Sequence, residues 1–306
     1  MKKLAIIGSI TCAVGAIIFI SAFASIGWDI TKISTRPKYE ERHFSTENTN
    51  QTITLKDKDK PVSVGLSDDN QIHIIYYENE KEQYQIEDDT NLTIQNQDSY
   101  QWYESIFNID FQSPSTTILL PSDFNGELYI ETSNAQVTIE NIAASKLSAS
   151  TSNGYMNVNR LTNVQTISLS TSNNAIDAFD ITASGKLTAA TINGSIAFTN
   201  ISAQDMEAVT SNNRIVTDNT QSTQNMMLQT SNGTIEFKNL TAGLSTTLHT
   251  SNGSVIGSIN GKASDFTIQS QTSNGTNNLP ESFKSGEQQL NITTSNGNID
   301  VTFSNE

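Results

Sequence analysis

The sequence predicts an all-β protein: a parallel β-solenoid of about nine coils with a β-rich N-terminal cap, preceded by one transmembrane helix. Three observations carry this. A Thr-Ser-Asn corner recurs through the second half of the chain at a spacing close to twenty residues; short apolar runs of period two flank each copy; and the N-terminus holds a long stretch without charge.

Taken from the N-terminus, the first element is the uncharged run Leu4 to Trp28, which follows Lys2 and Lys3. At about 1.5 Å per residue such a helix exceeds the roughly 30 Å hydrocarbon core of a bilayer. Residues 1–3 are then a short cytoplasmic N-terminus, 4–28 a signal-anchor helix, and 29–44 a juxtamembrane linker. The rival is a cleavable signal peptide ending at the small-x-small motif Ala22-Phe23-Ala24. The apolar run passes that motif and reaches Trp28, an interface-type residue, which favours the uncleaved anchor. Cys12 lies mid-run, as a small apolar residue inside a helix. Lys32, Arg36, Lys38 and Arg42 after the helix argue for a cytoplasmic domain by the positive-inside rule. The signal-like start and the cysteine-free Ser/Thr/Asn-rich domain argue for the outside, so the expected location is a single-pass cell-membrane protein with its C-terminal domain extracellular.

Residues 45–130 form an acidic cap region. Residues 39–130 carry a net charge of -13, against +4 for residues 1–38 and -6 for residues 131–306. Alternating runs at Thr52 to Leu55, Val62 to Val64, Ile72 to Tyr77, Tyr84 to Ile86, Leu92 to Ile94, Ile106 to Phe111 and Ile118 to Leu120 read as strands that cover the open edge of the first coil. Glu78, Glu80, Glu82, Glu87, Asp88 and Asp89, with Asp98 beyond them, surround only Lys81; they are a solvated acidic loop or, in the functional alternative, a patch for a cationic ligand. Tyr100, Trp102, Tyr103, Phe107 and Phe111 are dense for a chain with 7% aromatics, which places them in the core of the cap or, as the alternative, on a platform for carbohydrate or peptide.

The repeats occupy residues 131–306. The corner triplet begins at Thr132, Thr151, Thr171, Thr191, Thr210, Thr230, Thr250, Thr272 and Thr294, and Gly follows Asn in six of the nine copies. The turn residues are Asn134, Asn153, Asn173, Asn193, Asn212, Asn232, Asn252, Asn274 and Asn296. Asn-Gly adopts positive φ readily, so each copy is expected to be a tight turn, with the stacked amides forming hydrogen-bond ladders. Leu147 and Ala149, Ile167 and Leu169, or Met226 and Leu228 before the triplet alternate with polar residues. So do Met156 and Val158, or Ile196 and Phe198, after it. An apolar residue ten positions after Thr, as in Ile142, Leu161, Ile181, Ile201 and Leu240, marks a second corner. Two four-residue strands cannot bury their own apolar face, so the units must stack. A propeller or a chain of local hairpins is the competing arrangement.

Several chemistries find no support. The 16% charged residues argue against a coiled coil, and the regular apolar alternation argues against disorder. A net charge of -15 has the wrong sign for nucleic acid. One cysteine and three histidines leave little for a disulfide framework or a zinc site, and neither a metal nor another cofactor is expected. Calcium-binding nonapeptide spacing is absent, and the inward parity of the triplet Thr argues against an ice-binding array. Carboxylates suited to acid/base catalysis lack facing partners: Asp177 and Asp180 share one coil, Asp205 and Glu207 share one strand face, and His249 has no acid at the equivalent positions of adjacent coils. No catalytic residue is expected.

The N-terminal membrane segment, a leader ending in Thr117-Ile118-Leu119-Leu120-Pro121 and coils built on Thr-Ser-Asn-Gly together resemble the bacterial putative-adhesin domain family of β-strand repeat cell-surface proteins, over roughly residues 45 to 306. Asn174, Ile192 and Asn213 depart from its turn pattern. The resemblance implies a surface-exposed solenoid, some relatives being similar to proteins of cell-envelope stress operons, and it transfers no binding residues. The expected function is thus a membrane-anchored, non-catalytic binding or adhesion module of the cell envelope. Its partner would be a cationic peptide, a protein or an envelope component. The alternative is an envelope-stress sensor or modulator that binds cationic antimicrobial peptides, and the third is a glycan-active β-helix enzyme.

Overall fold

The computed structural model describes residues 2–29, 37–49, 52–100, 112 and 114–305, with helical side chains described at residue 8 and from residue 11 onward. Helix α1 (Lys2–Ser25) is 24 residues long. It stops in a Schellman cap: the Gly27 N–H donates to Ala24 O at 3.0 Å, the Trp28 N–H donates to Phe23 O at 3.1 Å, and both residues take positive φ. The Trp28 ring packs edge-on against Phe23 at 5.3 Å, the apolar contact that accompanies such caps. Among the described residues no helix is long and apolar enough to cross a membrane. The span expected over 4–28 begins in side chains outside the described residues, and membrane anchoring is carried below as a proposal.

Among the described residues after 39, the regular elements are strands apart from one 3-10 turn at Ala263–Asp265. The cap contributes β1 (Glu40–Thr46), β2 (Thr52–Lys56), β3 (Val62–Leu66), β4 (Ile72–Glu78), β5 (Glu82–Asp88), β6 (Leu92–Asp98) and β7 (Thr116–Leu120). The repeats follow as β8 (Glu127–Glu131), β9 (Val137–Glu140), β10 (Lys146–Thr151), β11 (Met156–Val164), β12 (Thr166–Thr171), β13 (Ile176–Ala183), β14 (Lys186–Ala190), β15 (Ile196–Val209), β16 (Ile215–Gln229), β17 (Ile235–Leu240), β18 (Ser245–His249) and β19 (Val255–Ile259). The chain closes with β20 (Phe266–Thr272), β21 (Ser282–Lys284), β22 (Gln288–Thr294) and β23 (Ile299–Phe303). The expected strand at Ile106 to Phe111 lies outside the described residues, as do Trp102, Tyr103, Phe107 and Phe111 of the aromatic cluster.

Each repeat is one rung with a strand before the triplet and a strand after it. Successive rungs pair in parallel and in register, so that Leu147 stands over Leu128 and under Ile167, and Met156 stands over Val137 and under Ile176. Hairpins would pair antiparallel within a repeat; the twenty-residue parallel register establishes the solenoid. The period-two apolar positions all turn inward: Leu128, Leu147, Ile167, Leu187, Met206, Met226 and Leu248 make one wall, and Ile139, Val158, Ala178, Phe198 and Phe237 belong to the other, each at most 4% exposed. Burying each Leu or Ile contributes about 1.5–3 kcal/mol, and because one rung offers too few such residues, the rungs hold one another.

Two expectations are corrected. The triplet Asn and Gly do not take positive φ; that conformation sits at the second corner, nine residues after Thr, on Asn141, Arg160, Asp180, Asn200, Asn219 and Asn239. The glycines answer a different demand, the closeness of stacked backbones: a Cβ on Gly194 would lie 1.7 Å from the Asn174 carbonyl oxygen of the rung below. Secondly, the regular turns number about eight rather than nine. The Thr272 copy has its first strand, β20, but only an isolated bridge from Asn277 to Ile299 in place of the second.

The rungs do not stack in chain order at either end. At the N-terminal end β2 is parallel to β6 on one side and to β8 on the other, and β3 lies between β7 and β9. Antiparallel β5 then covers β6, antiparallel β4 covers β7, and β1 pairs antiparallel with β4. At the C-terminal end β22 lies between β18 and β20, so the last rung of the chain is tucked beneath the one before it, and antiparallel β21 covers β20. Antiparallel flaps over the terminal rungs blunt edges that would otherwise recruit other chains.

Candidate functional site

The triplet corner is the most regular chemistry on the molecule. Among the described residues five of the nine triplet Thr use the hydroxyl twice, Thr230 among them. Thr250 Oγ1 accepts the Gly253 N–H of its own turn at 3.2 Å and donates to Gly233 O of the rung below at 2.8 Å; Thr151, Thr191 and Thr294 repeat the pattern. The structure brings all nine triplet Asn side chains into one exposed ladder. Asn153 Nδ2 donates to Asn134 Oδ1 at 2.6 Å, and the chain of amides continues through Asn173, Asn193, Asn212, Asn232 and Asn252 to Asn296 and then Asn274. It starts on Asp59, whose Oδ1 accepts from Asn134 at 2.6 Å. Asn174 and Asn213, which replace Gly, close their turns differently: each side chain reaches down to the backbone oxygen of Asn153 or Asn193 and accepts the N–H of the next residue.

Sequence reasoning missed the corner that founds this ladder. Between β2 and β3 the triplet is replaced by Asp57-Lys58-Asp59, with Asp57 turned inward like Thr. The alternating charges Asp57-Lys58-Asp59-Lys60 directly after a strand were the available signal. Asp57 accepts from the Tyr84 hydroxyl and, at 3.0 Å, from Thr116 Oγ1. Burial first, and then the Asp57 carboxylate, push the Tyr84 phenol far above its ordinary value. Beside it the Lys60 ammonium, 3% exposed, pairs with Glu82 and lies 4.7 Å from the Tyr84 ring centre and 5.3 Å from that of Tyr39. Glu82 also accepts from the Tyr39 hydroxyl and from Asn96 Nδ2. Burial pushes the Glu82 carboxyl up, but Lys60, Tyr39 and Asn96 together hold it below the usual carboxylate range. This network floors a cleft of about 240 Å³ rimmed by Lys58, Asp59, Asp98, Tyr100 and Gln112.

The six acidic residues expected as one patch are therefore dispersed. Glu82 is buried in its ion pair, Glu78 is half-buried beside Arg42 at 3.4 Å, and Glu80, Glu87, Asp88 and Asp89 are exposed. Glu82 and Asp88 stand at opposite ends of β5, about 20 Å apart at the rise of an extended strand. Glu87, Asp88 and Asp89 form one acidic tip, and Glu78 and Glu80 border a second area with Lys38 and Arg42.

The residues weighed for catalysis take part in contacts between rungs. Asp177 accepts from the Tyr155 hydroxyl at 2.6 Å, and the Tyr155 phenol is pushed up to about 12 by burial and by that carboxylate. Asp180 occupies the second corner and accepts from Asn200 at 2.8 Å. Asp205 accepts from Asn225 at 2.7 Å, Glu207 pairs with Lys186 at 2.6 Å, and His249 meets Thr293 Oγ1 at 2.7 Å. Among the described residues no three His, Cys, Asp or Glu side chains are grouped to hold a metal ion.

The family described as Toastrack DUF4097 matches residues 50–302, from the first strand of the stack to the last. This chain belongs to the Toastrack DUF4097 family. A crystal structure described as a putative adhesin from Parabacteroides merdae shares the Toastrack chain's fold at a TM-score of 0.50 and 14% identity, over 87% of this chain and 96% of that one. Similar structures described as putative adhesins come from Parabacteroides distasonis, at 0.42 with 14% identity over 87% and 98% of the two chains, and from Bacteroides fragilis, at 0.39 with 13% identity over 87% and 99%. The first supports the common fold, and the other two carry no argument. No curated protein matches the chain. The Toastrack match runs through β2 and β3, the rung that carries Asp57-Lys58-Asp59 in place of the triplet.

Proposed function

We propose that this Toastrack protein is a non-catalytic binding or adhesion module of the bacterial cell envelope, tethered by α1 with the solenoid outside the cell. One observation carries the reading: the repeated residues are consumed by the fold itself. Triplet Thr and Asn bond from rung to rung, and alternate strand residues fill the core, so recognition falls to the outward residues, which vary along the stack. The row Tyr129, Ser148, Ser168, Thr188, Glu207 and Met227 runs in register across six parallel strands and offers a continuous surface held by the ladder of strands. Rigid presentation lowers the ordering cost of contact with an extended partner. The shared fold of the Parabacteroides merdae structure described as a putative adhesin supports the same reading. Cells that lack the chain should attach less to a glycan- or protein-coated surface than the parent, and restoring it should restore attachment; equal attachment with and without it would overturn the proposal.

A second reading, an envelope-stress sensor that binds cationic peptides, rests on the exposed carboxylates of Glu87, Asp88 and Asp89 at the tip of the β5–β6 hairpin, with Glu80 at its other end.

A further inference from the structure

The ladder of amides contains six Asn-Gly pairs, and Asn followed by Gly is the dipeptide whose backbone nitrogen meets least steric resistance in attacking the preceding side chain. Five of the six are restrained in the same way. At Gly154, Gly194, Gly233, Gly253 and Gly297 the backbone N–H is held by the turn Thr hydroxyl at 3.0–3.2 Å. The matching Asn153, Asn193, Asn232, Asn252 and Asn296 each donate to one neighbouring amide and accept from another. Of these glycines, four are buried and Gly233 is half-buried.

The sixth pair is different. Because the last two rungs are interchanged, the ladder ends on Asn274 and not on Asn296, the last Asn of the series in the chain. Asn274 donates to Asn296 Oδ1 at 2.8 Å, but among the described residues nothing donates to its own Oδ1. Gly275 is exposed, and its N–H meets no acceptor among the described residues, although Thr272 Oγ1 donates to Gly297 O as the other triplet Thr donate to a neighbouring rung.

We infer that Asn274 is a spontaneous deamidation site of the folded protein, and that the ladder protects its own other five Asn-Gly pairs, Asn125-Gly126 and Asn260-Gly261 lying outside it. The Gly275 nitrogen attacks Asn274 Cγ; the N–Cγ bond forms, the Cγ–Nδ2 bond breaks, and the amide proton leaves with ammonia. Water then opens the resulting succinimide to aspartate or isoaspartate. Either product loses the donor that meets Asn296 and sets a carboxylate against its Oδ1. Isoaspartate also lengthens the backbone at the turn that precedes the C-terminal flap.

The five protected sites hold two hydrogen bonds that Asn274 and Gly275 lack, and these must be released before the Gly nitrogen can attack. Asn274 should therefore react about tenfold faster, a ratio equivalent to about 1.4 kcal/mol. The test is incubation of the purified full-length protein at mildly alkaline pH, natively and in urea, followed by peptide mapping with fragmentation that separates aspartate from isoaspartate. The expected result is early conversion at Asn274 in the native sample and comparable conversion at all six sites in urea. Equal native rates at the six sites, another site leading, or an Asn274 preference that persists unchanged in urea would each overturn the inference.

Discussion

Glu82 shows how a single carboxylate can change roles between sequence and structure. Its neighbours in the chain are acidic and solvent-facing, so composition places it with them, and only the folded cap reveals that Lys60 lies opposite. Removing one member of a buried pair leaves the other charge uncompensated, so Glu82→Gln should cost about 3–5 kcal/mol in urea unfolding at neutral pH. The pair also makes stability depend on acid. The folded Glu82 value is depressed below 4.5, so its contribution is complete above the ordinary carboxylate value and is lost as pH falls through the lower folded one. Parent and variant should therefore converge in stability on acidification, and a constant gap down to strongly acid pH would show that the pair is not responsible. The triplet Thr offers a matching test. Thr250→Val keeps the shape and removes the hydroxyl, leaving the Gly253 N–H and Gly233 O without their partner at about 1–3 kcal/mol each, whereas Thr250→Ser should lose much less in thermal melts.

At the scale of the rung, the inward positions were legible because period two and a near-constant interval point to the same residues. Leu228 is fully buried between Ala208 and Leu248. Leu228→Asp should cost several kcal/mol in denaturant unfolding, and parent-like stability would contradict the inward parity. The corner was less legible. Asn-Gly suggests a left-handed turn from local chemistry alone, but the real constraint comes from a neighbour nineteen or twenty residues away, which no local pattern displays. The same holds for β2 and β3: without a Thr-Ser-Asn triplet they read as irregular cap strands, although they occupy a full position in the stack. The ion pair of Lys60 with Glu82 was hidden for a related reason, since it joins the β2–β3 rung to a strand that arrives only after a further excursion of the chain.

For the molecule as a whole, the long array of parallel rungs should make the region after the linker rod-like in small-angle scattering and nearly free of helix by circular dichroism; a compact sphere would be incompatible with the stack. On intact cells, added protease should remove the solenoid and leave a membrane stub if α1 anchors it facing outward, while protection until lysis would place the domain inside. The sensor reading has its own assay. Neutralising Glu80, Glu87, Asp88 and Asp89, with Glu82 left in place because the fold needs it, should weaken the binding of a cationic peptide in a salt-dependent way, since screening limits such attraction to about 8 Å at physiological salt. Unchanged binding would leave the acidic tip with a solubilising role only.

The tucked last rung also bears on how the protein carries load. In a solenoid that ends where its chain ends, tension on the C-terminus peels the outermost coil, breaking its hydrogen bonds a few at a time. Here the terminal strands follow β21 back into the stack, and β22 is bonded to β18 on one side and β20 on the other. A pull on the terminus acts first on β23, which is bonded to β19 and bridged to Asn277, and then on β22, which must slide past two neighbours at once. The last rung is fastened like a strap passed under its own loop, so load on it is shared with the rungs on either side.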